Sequence, residues 1–230
     1  MKDEVFNMDK PKLIVMLTYN DQTVPNAIEV FESAKDAPAK FWGMKDEGLE
    51  EEKMIHLFQR MKDCGKTTFL EIVADDLDVE AESVRLAVRV GADVVTGTHY
   101  RKELHDMLTQ AGIKYMPFVG RTVGIPIVVK GTVDEIVAEA IELVENGCFG
   151  IDAAPYRYEG DIDQYNTELL KNVKAPCCVA GSVNGFARVQ EVIDYGYWGF
   201  TVGSAFFENK FGNGSFADQI AAVMDYINSH

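Results

Sequence analysis

One alternation governs this chain: an apolar run, an amphipathic helical stretch, a glycine, and then the next apolar run. The runs begin near Leu13, Phe41, Thr68, Ala92, Ile113, Cys148, Ala175 and Tyr197, roughly 20 to 35 residues apart. Strands separated by that much helix-bearing chain pair in parallel, because antiparallel neighbours need only a tight turn. Glycine precedes the next strand at Gly65, Gly91, Gly112, Gly147 and Gly196, where a left-handed residue ends a helix. The stretch Val133 to Glu145 shows the helix type. It puts Ile136, Val137, Ala140, Ile141 and Val144 on one stripe and turns Asp134, Glu135, Glu139 and Glu142 away, the pattern of a helix lying on the outside of a sheet.

Eight such units predict an α/β fold, a single (β/α)8 TIM barrel filling one domain over residues 1–230. The length of 230 residues suits one barrel, and no linker or low-complexity tract divides it. The rival is a doubly wound open sheet. Closure is favoured because the last two units end alike, in Val179-Ala180-Gly181-Ser182 and Thr201-Val202-Gly203-Ser204. Barrels of this type commonly bind phosphate after strands seven and eight. Glycine lets backbone approach a ligand closely, and a helix start after the turn offers unpaired N–H groups. Gly181, Ser182, Gly203 and Ser204 are therefore predicted to clamp a phosphate.

Composition narrows the partners. A net charge of −15 disfavours nucleic acid and anionic membranes, both of which are bound by clustered Lys and Arg. No stretch approaches the roughly 20 apolar residues of a membrane span, and Met1-Lys2-Asp3-Glu4 opens no signal-peptide core; a cytoplasmic protein is expected. The four cysteines show no C-x-x-C spacing, so they read as reduced core residues rather than a zinc site or disulfide frame.

Catalytic residues of a barrel sit at the C-terminal ends of its strands. There the chain offers Thr18, Asn20 and Asp21 after strand one, Lys45, Asp46 and Glu47 after strand two, and Glu71, Asp75 and Asp76 around strand three. His99 ends strand four, Arg121 follows strand five, and Asp152 lies within strand six, ahead of Tyr156-Arg157-Tyr158. Glu71 and Asp152 carry the most information, since a mid-strand carboxylate facing a barrel interior must be paired, bind metal or work as an acid or base. The plainer reading pairs Glu71 with Lys45 and lets Asp152 cap a turn. Lys45 is equally a solvated loop residue. His99 is either a proton shuttle or a cap for a helix starting at Arg101. Asn20, Arg121 and Arg157 are candidate substrate ligands, with Tyr156 and Tyr158 as pocket walls, although Arg157 could instead tether a loop to Asp161 or Asp163. Two glycines in Val119-Gly120-Arg121-Thr122-Val123-Gly124-Ile125-Pro126 suggest a mobile lid over the mouth, or a rigid extra turn.

The stretch Cys177 to Phe206 resembles the ribulose-phosphate-binding barrel superfamily, in which two such turns clamp the substrate phosphate. Val73-Ala74-Asp75 through Gly91-Ala92-Asp93-Val94-Val95-Thr96 is similar to the hexulose-phosphate synthase and keto-gulonate-phosphate decarboxylase branch. That branch's D-x-K-x-x-D motif fails here, because Asp75-Asp76-Leu77-Asp78 lacks the lysine. The amino-sugar phosphate epimerases carry a glutamate where Ala180 stands. The resemblance implies a lyase or isomerase of carbohydrate metabolism. Its substrate would be a small phosphorylated sugar, handled beside a carbonyl by aldol cleavage, decarboxylation, isomerisation or epimerisation. Dimers are common among such barrels, so a homodimer is the assembly it implies.

Such chemistry passes through an enediolate, which needs a cation at the carbonyl oxygen and an acid or base at carbon. The cation would be Mg2+ held by Glu71 and Asp75, or Lys45, acting electrostatically or as a Schiff-base nucleophile. Asp152 or His99 would then move protons. Two other classes stay open: a phosphate-metabolite sensor or scaffold without turnover, and a transferase acting on a heterocycle, for which Phe41, Trp42 and Tyr156 would line an aromatic pocket.

Overall fold

The computed structural model describes residues 6–230 except Asp75 and Ile125. Its central sheet has eight parallel strands: β1 (Lys12–Met16), β2 (Phe41–Lys45), β3 (Thr67–Ile72), β4 (Val94–Gly97), β5 (Lys114–Pro117), β6 (Ile151–Ala153), β7 (Cys177–Val179) and β8 (Gly199–Val202). β8 pairs with β1. The remaining seam closes between β5 and β6 through a parallel bridge from Phe118 to Asp152 and a hydrogen bond from Phe149 N–H to Tyr115 O of 2.9 Å. The expected (β/α)8 barrel is thus observed, with strand starts displaced by at most a few residues.

Outside it lie α1 (Ala27–Ala34), α2 (Glu51–Asp63), α3 (Leu77–Val90), α4 (Lys102–Gln110), α5 (Val133–Glu145), α6 (Ile162–Asn172), α7 (Phe186–Tyr195), the single turn α8 (Ser204–Phe207) and α9 (Phe216–Ser229). The five glycines at helix exits all have positive φ, from 67° at Gly91 to 94° at Gly147, so each ends its helix as its position predicts. α5 begins with a capping box between Thr132 and Glu135, which satisfies N–H groups that a helix start leaves unpaired.

Period-two alternation divides each strand between two cores. Trp42 and Met44 face the helices while Phe41 faces the barrel axis; Leu70 and Ile72 face out while Phe69 faces in. The interior is packed by Ile14, Met16, Phe41, Phe69, Met116 and Trp198, and Phe6 stacks beneath, 5.9 Å from the Trp198 ring. Phe41 and Trp42 therefore belong to packing and line no mouth cavity, contrary to the aromatic-pocket expectation. With the lower barrel filled by apolar side chains, its polar interior residues gather at the C-terminal end.

Two hairpins decorate that end. Thr18–Tyr19 and Gln22–Thr23 flank Asn20 and Asp21, whose φ values of 50° and 63° are those of a two-residue type I′ turn. Arg121–Val123 pairs with Val128–Lys130 after β5, so the expected lid is a β-hairpin.

Candidate active site

β2 and β3 place Lys45 directly opposite Glu71 in their ladder, and both side chains face the barrel mouth. Lys45 is only 7% exposed. Its Nζ lies 2.8 Å from Asp21 Oδ1 and 3.5 Å from Glu71 Oε1. Thr23 fastens the first hairpin to β2, donating from Oγ1 to Lys45 O at 2.7 Å and accepting from Lys45 N–H at 3.0 Å. That anchor brings Asp21 over the ammonium. Burial pulls the Lys45 pKa down, but the charges of Glu71 and Asp21 outweigh it and raise it overall. Burial likewise opposes ionisation of Asp21, yet its bond to Lys45 holds it below the usual carboxylate range. Lys45 is thus a fixed cation. A Schiff-base lysine needs the opposite shift, toward a neutral amine.

Asp152 points into the same end of the barrel but lies sealed, 1% exposed. Its Oδ2 accepts the Gly97 N–H at 3.1 Å, whereas Oδ1 is buried without a partner among the described residues. Burial, reinforced by the Glu71 charge, pushes its pKa well above the usual range. It is therefore a buried carboxyl group bound to the Gly97 N–H, not a turn cap.

A cavity of about 250 Å3 opens above Lys45 and Glu71 and is walled by Arg157, Ser182, Asn184 and Ser204. A neighbouring space of about 140 Å3 contains Asn20, Asp21 and Lys45 and shares Arg157. Arg157 Nε lies 3.4 Å from Ser182 Oγ, and among the described residues no carboxylate comes within 4.0 Å of this guanidinium. Among the described residues, the N–H groups of Gly203 and Ser204 donate no backbone hydrogen bond. Three carboxylates line the cavity, Asp21 and Glu71 beside Lys45 and Glu208 at 3.6 Å from Lys210.

The two glycines also have close protein neighbours. A Cβ at Gly181 would lie 2.8 Å from Arg157 Nη2, and one at Gly203 would lie 2.8 Å from Thr18 O. Gly203 is thus held to glycine by the Thr18 backbone, and Gly181 by its φ of 71° with Arg157 packed against it. A helix does not start at the first turn: α7 begins at Phe186, beyond Ser182.

Other candidates disperse. His99 does not cap α4, which begins at Lys102; its Nε2 lies 2.8 Å from Thr122 Oγ1 in a separate cavity of about 350 Å3. Arg121 is exposed on the second hairpin and lines none of the three mouth cavities. Asn20 is held at the mouth by its N–H to Ser204 Oγ, 3.2 Å. Tyr156 lies under Arg188, 3.9 Å from ring centroid to guanidinium carbon, and Tyr158 donates to Gly131 O; neither walls the pocket. Asp75, paired in sequence reasoning with Glu71 as a Mg2+ ligand, lies outside the described residues. Among those described, no three His, Cys, Asp or Glu side chains converge as metal ligands, and an ammonium already stands beside Glu71. Asp21, counted among the polar residues after strand one but given no role there, is the carboxylate that the hairpin turn brings to Lys45.

The class these features define is a (β/α)8 barrel with a mouth cavity walled by Arg157, Ser182 and Ser204 after β6, β7 and β8. Solved structures with the same fold include an N-acetylmannosamine-6-phosphate 2-epimerase from Clostridium perfringens (16% identity, TM-score 0.63, 87% of this chain and 90% of that one). They also include orotidine 5'-phosphate decarboxylase from Pyrococcus horikoshii OT3 (16%, 0.67, 94% and 99%) and tryptophan synthase from M. tuberculosis (12%, 0.71, 98% and 96%). What the chain shares with each of them is the (β/α)8 barrel fold. No family model and no curated sequence matches the chain. Among the described residues no helix is long and apolar enough to cross a membrane.

Proposed function

We propose that this barrel is an enzyme acting on a small phosphorylated sugar-like substrate through proton chemistry next to a carbonyl, as a lyase or isomerase. The observation that carries it is one cavity joining an unpaired guanidinium to a buried cation and carboxylate: Arg157 at one wall, Lys45 and Glu71 at the floor. In a chain of net charge −15, an anion must be drawn by local donors. Arg157, Ser182, Ser204 and the Gly203 and Ser204 N–H groups take the phosphate. The ammonium of Lys45 faces the carbonyl oxygen and stabilises the enediolate, where preorganised charge is worth most. Glu71 exchanges the proton at carbon, and Asp152 is the proton-holding acid beneath it. Lys45 thereby takes the place assigned to Mg2+ in the alternative. Two fold relatives, an epimerase and a decarboxylase, are named for phosphate-ester substrates, which supports this reading.

A second reading, a phosphate-metabolite sensor or scaffold without turnover, is favoured by the mutual pairing of Lys45 and Glu71. A thermal-shift screen against inorganic phosphate and phosphorylated pentoses and hexoses, each assayed also for turnover, separates the two. Stabilisation lost in Arg157→Ala, together with turnover, supports the enzyme. Stabilisation without turnover supports the sensor, and no stabilisation by any phosphate compound contradicts both.

A further inference from the structure

The cavity of about 350 Å3 beneath the second hairpin is unused by the mechanism above, although it is larger than the one at the anion-facing wall. It adjoins that wall's cavity, since Phe118 and Ile127 line both. Its remaining surface is carbon-rich, with Val73, Ala74, Val79 and Val123. The polar side chains in it are already satisfied: His99 pairs with Thr122 at 2.8 Å, and Thr98 Oγ1 with Tyr115 OH at 2.6 Å. Its acidic edge residues, Glu47 and Asp76, oppose a second anion.

Two further observations mark this as a shaped compartment. Thr98 is buried with φ of 40°, a conformation that a β-branched residue adopts only under constraint; it turns the end of β4 beneath the hairpin. Val79 and Val123, at the rim, are 51% and 43% exposed, apolar surface that an occupant would remove from water. A dry cavity of roughly 150 Å3 holds benzene, so the space here suffices for a ring or a fused pair.

Resting on the phosphate reading, we propose that the substrate carries an uncharged, ring-sized apolar group at the end remote from its phosphate, and that this group sits between Val79, Val123, Phe118 and Ile127. His99 is then a positioning residue that latches the hairpin over the ring, not a proton shuttle.

The test is calorimetric titration with ω-phenylalkyl phosphates of increasing linker length, each against the n-alkyl phosphate lacking the ring, using wild type and Val79→Gln/Val123→Gln. Both positions are exposed enough for polar replacements to leave folding intact. At one linker length the ring is expected to tighten binding at least about ten-fold, and the double variant to erase that gain while binding inorganic phosphate as wild type does. A ring gain below two-fold at every length, or one that the variant keeps, overturns the proposal and leaves the phosphate reading standing. If no phosphate compound binds, that reading fails, and titration with phenol decides for the cavity: saturable binding lost in the variant sustains it, and no binding overturns it.

Discussion

The guanidinium of Arg157 occupies the space that a side chain on Gly181 would need, 2.8 Å from Nη2 to the Cβ position. At Gly203 the obstruction is Thr18 instead, first its Oγ1 and then its carbonyl oxygen at 2.8 Å. A guanidinium can swing away, whereas the backbone of the first hairpin, paired at Thr18 and Thr23, cannot. Gly181→Ala, which also places an L-residue at φ 71°, is expected to fold with about 1–2 kcal/mol less stability. By displacing Arg157 it should weaken phosphate binding roughly ten-fold. Gly203→Ala is expected to lose more stability, about 3 kcal/mol. Urea unfolding beside phosphate titration checks both; equal behaviour of the two variants would contradict the distinction.

Lys45→Met would leave Asp21 and Glu71 facing each other around an uncharged side chain. Breaking a largely buried pair from one side costs about 3–5 kcal/mol. The loss should be greatest near pH 7 and shrink near pH 4, where carboxylates take up protons. Adding Glu71→Gln should restore part of it. Urea midpoints at the two pH values measure this, and a pH-independent loss would show that the ammonium matters for packing alone.

Asp152 makes a prediction of opposite sign. Its folded pKa stands well above 3.8, so the folded state keeps a proton that the unfolded state releases. The group's contribution is fully present below 3.8 and declines as pH rises toward the folded pKa. Asp21, shifted down, acts only in acid and does not interfere in that window. Asp152→Asn keeps an acceptor for the Gly97 N–H and removes the ionisation. It should flatten that decline and raise stability at pH values above it, while losing turnover. An unchanged pH slope would mean that Asp152 does not ionise in that range.

The fold was legible because it rests on local, repeated signals: helical stripes, apolar runs and glycines at helix exits, all of which agree. The inward direction of Lys45 and Glu71 followed once β2 and β3 were in register, since alternate residues share a face. What sequence could not supply was depth and partnership. Asp152 and Lys45 are both polar residues at strand ends, yet one is sealed and the other lines the mouth. Arg157 reaches Gly181 from 24 positions earlier in the chain, a contact set by strand neighbours rather than by spacing. Phe41 and Trp42 looked like pocket walls because composition does not say which end of a barrel a ring fills.

The most direct test of the account is deuterium incorporation from D2O into phosphorylated ketoses and aldoses, followed by NMR with wild type and Glu71→Gln. Enediolate chemistry predicts exchange at the carbon next to the carbonyl in at least one substrate, lost by about 100-fold or more in Glu71→Gln while the variant still binds phosphate and keeps its fold. Substrate that binds saturably yet shows neither exchange nor turnover, or exchange that survives Glu71→Gln, would contradict the proposed role of the Lys45–Glu71 pair.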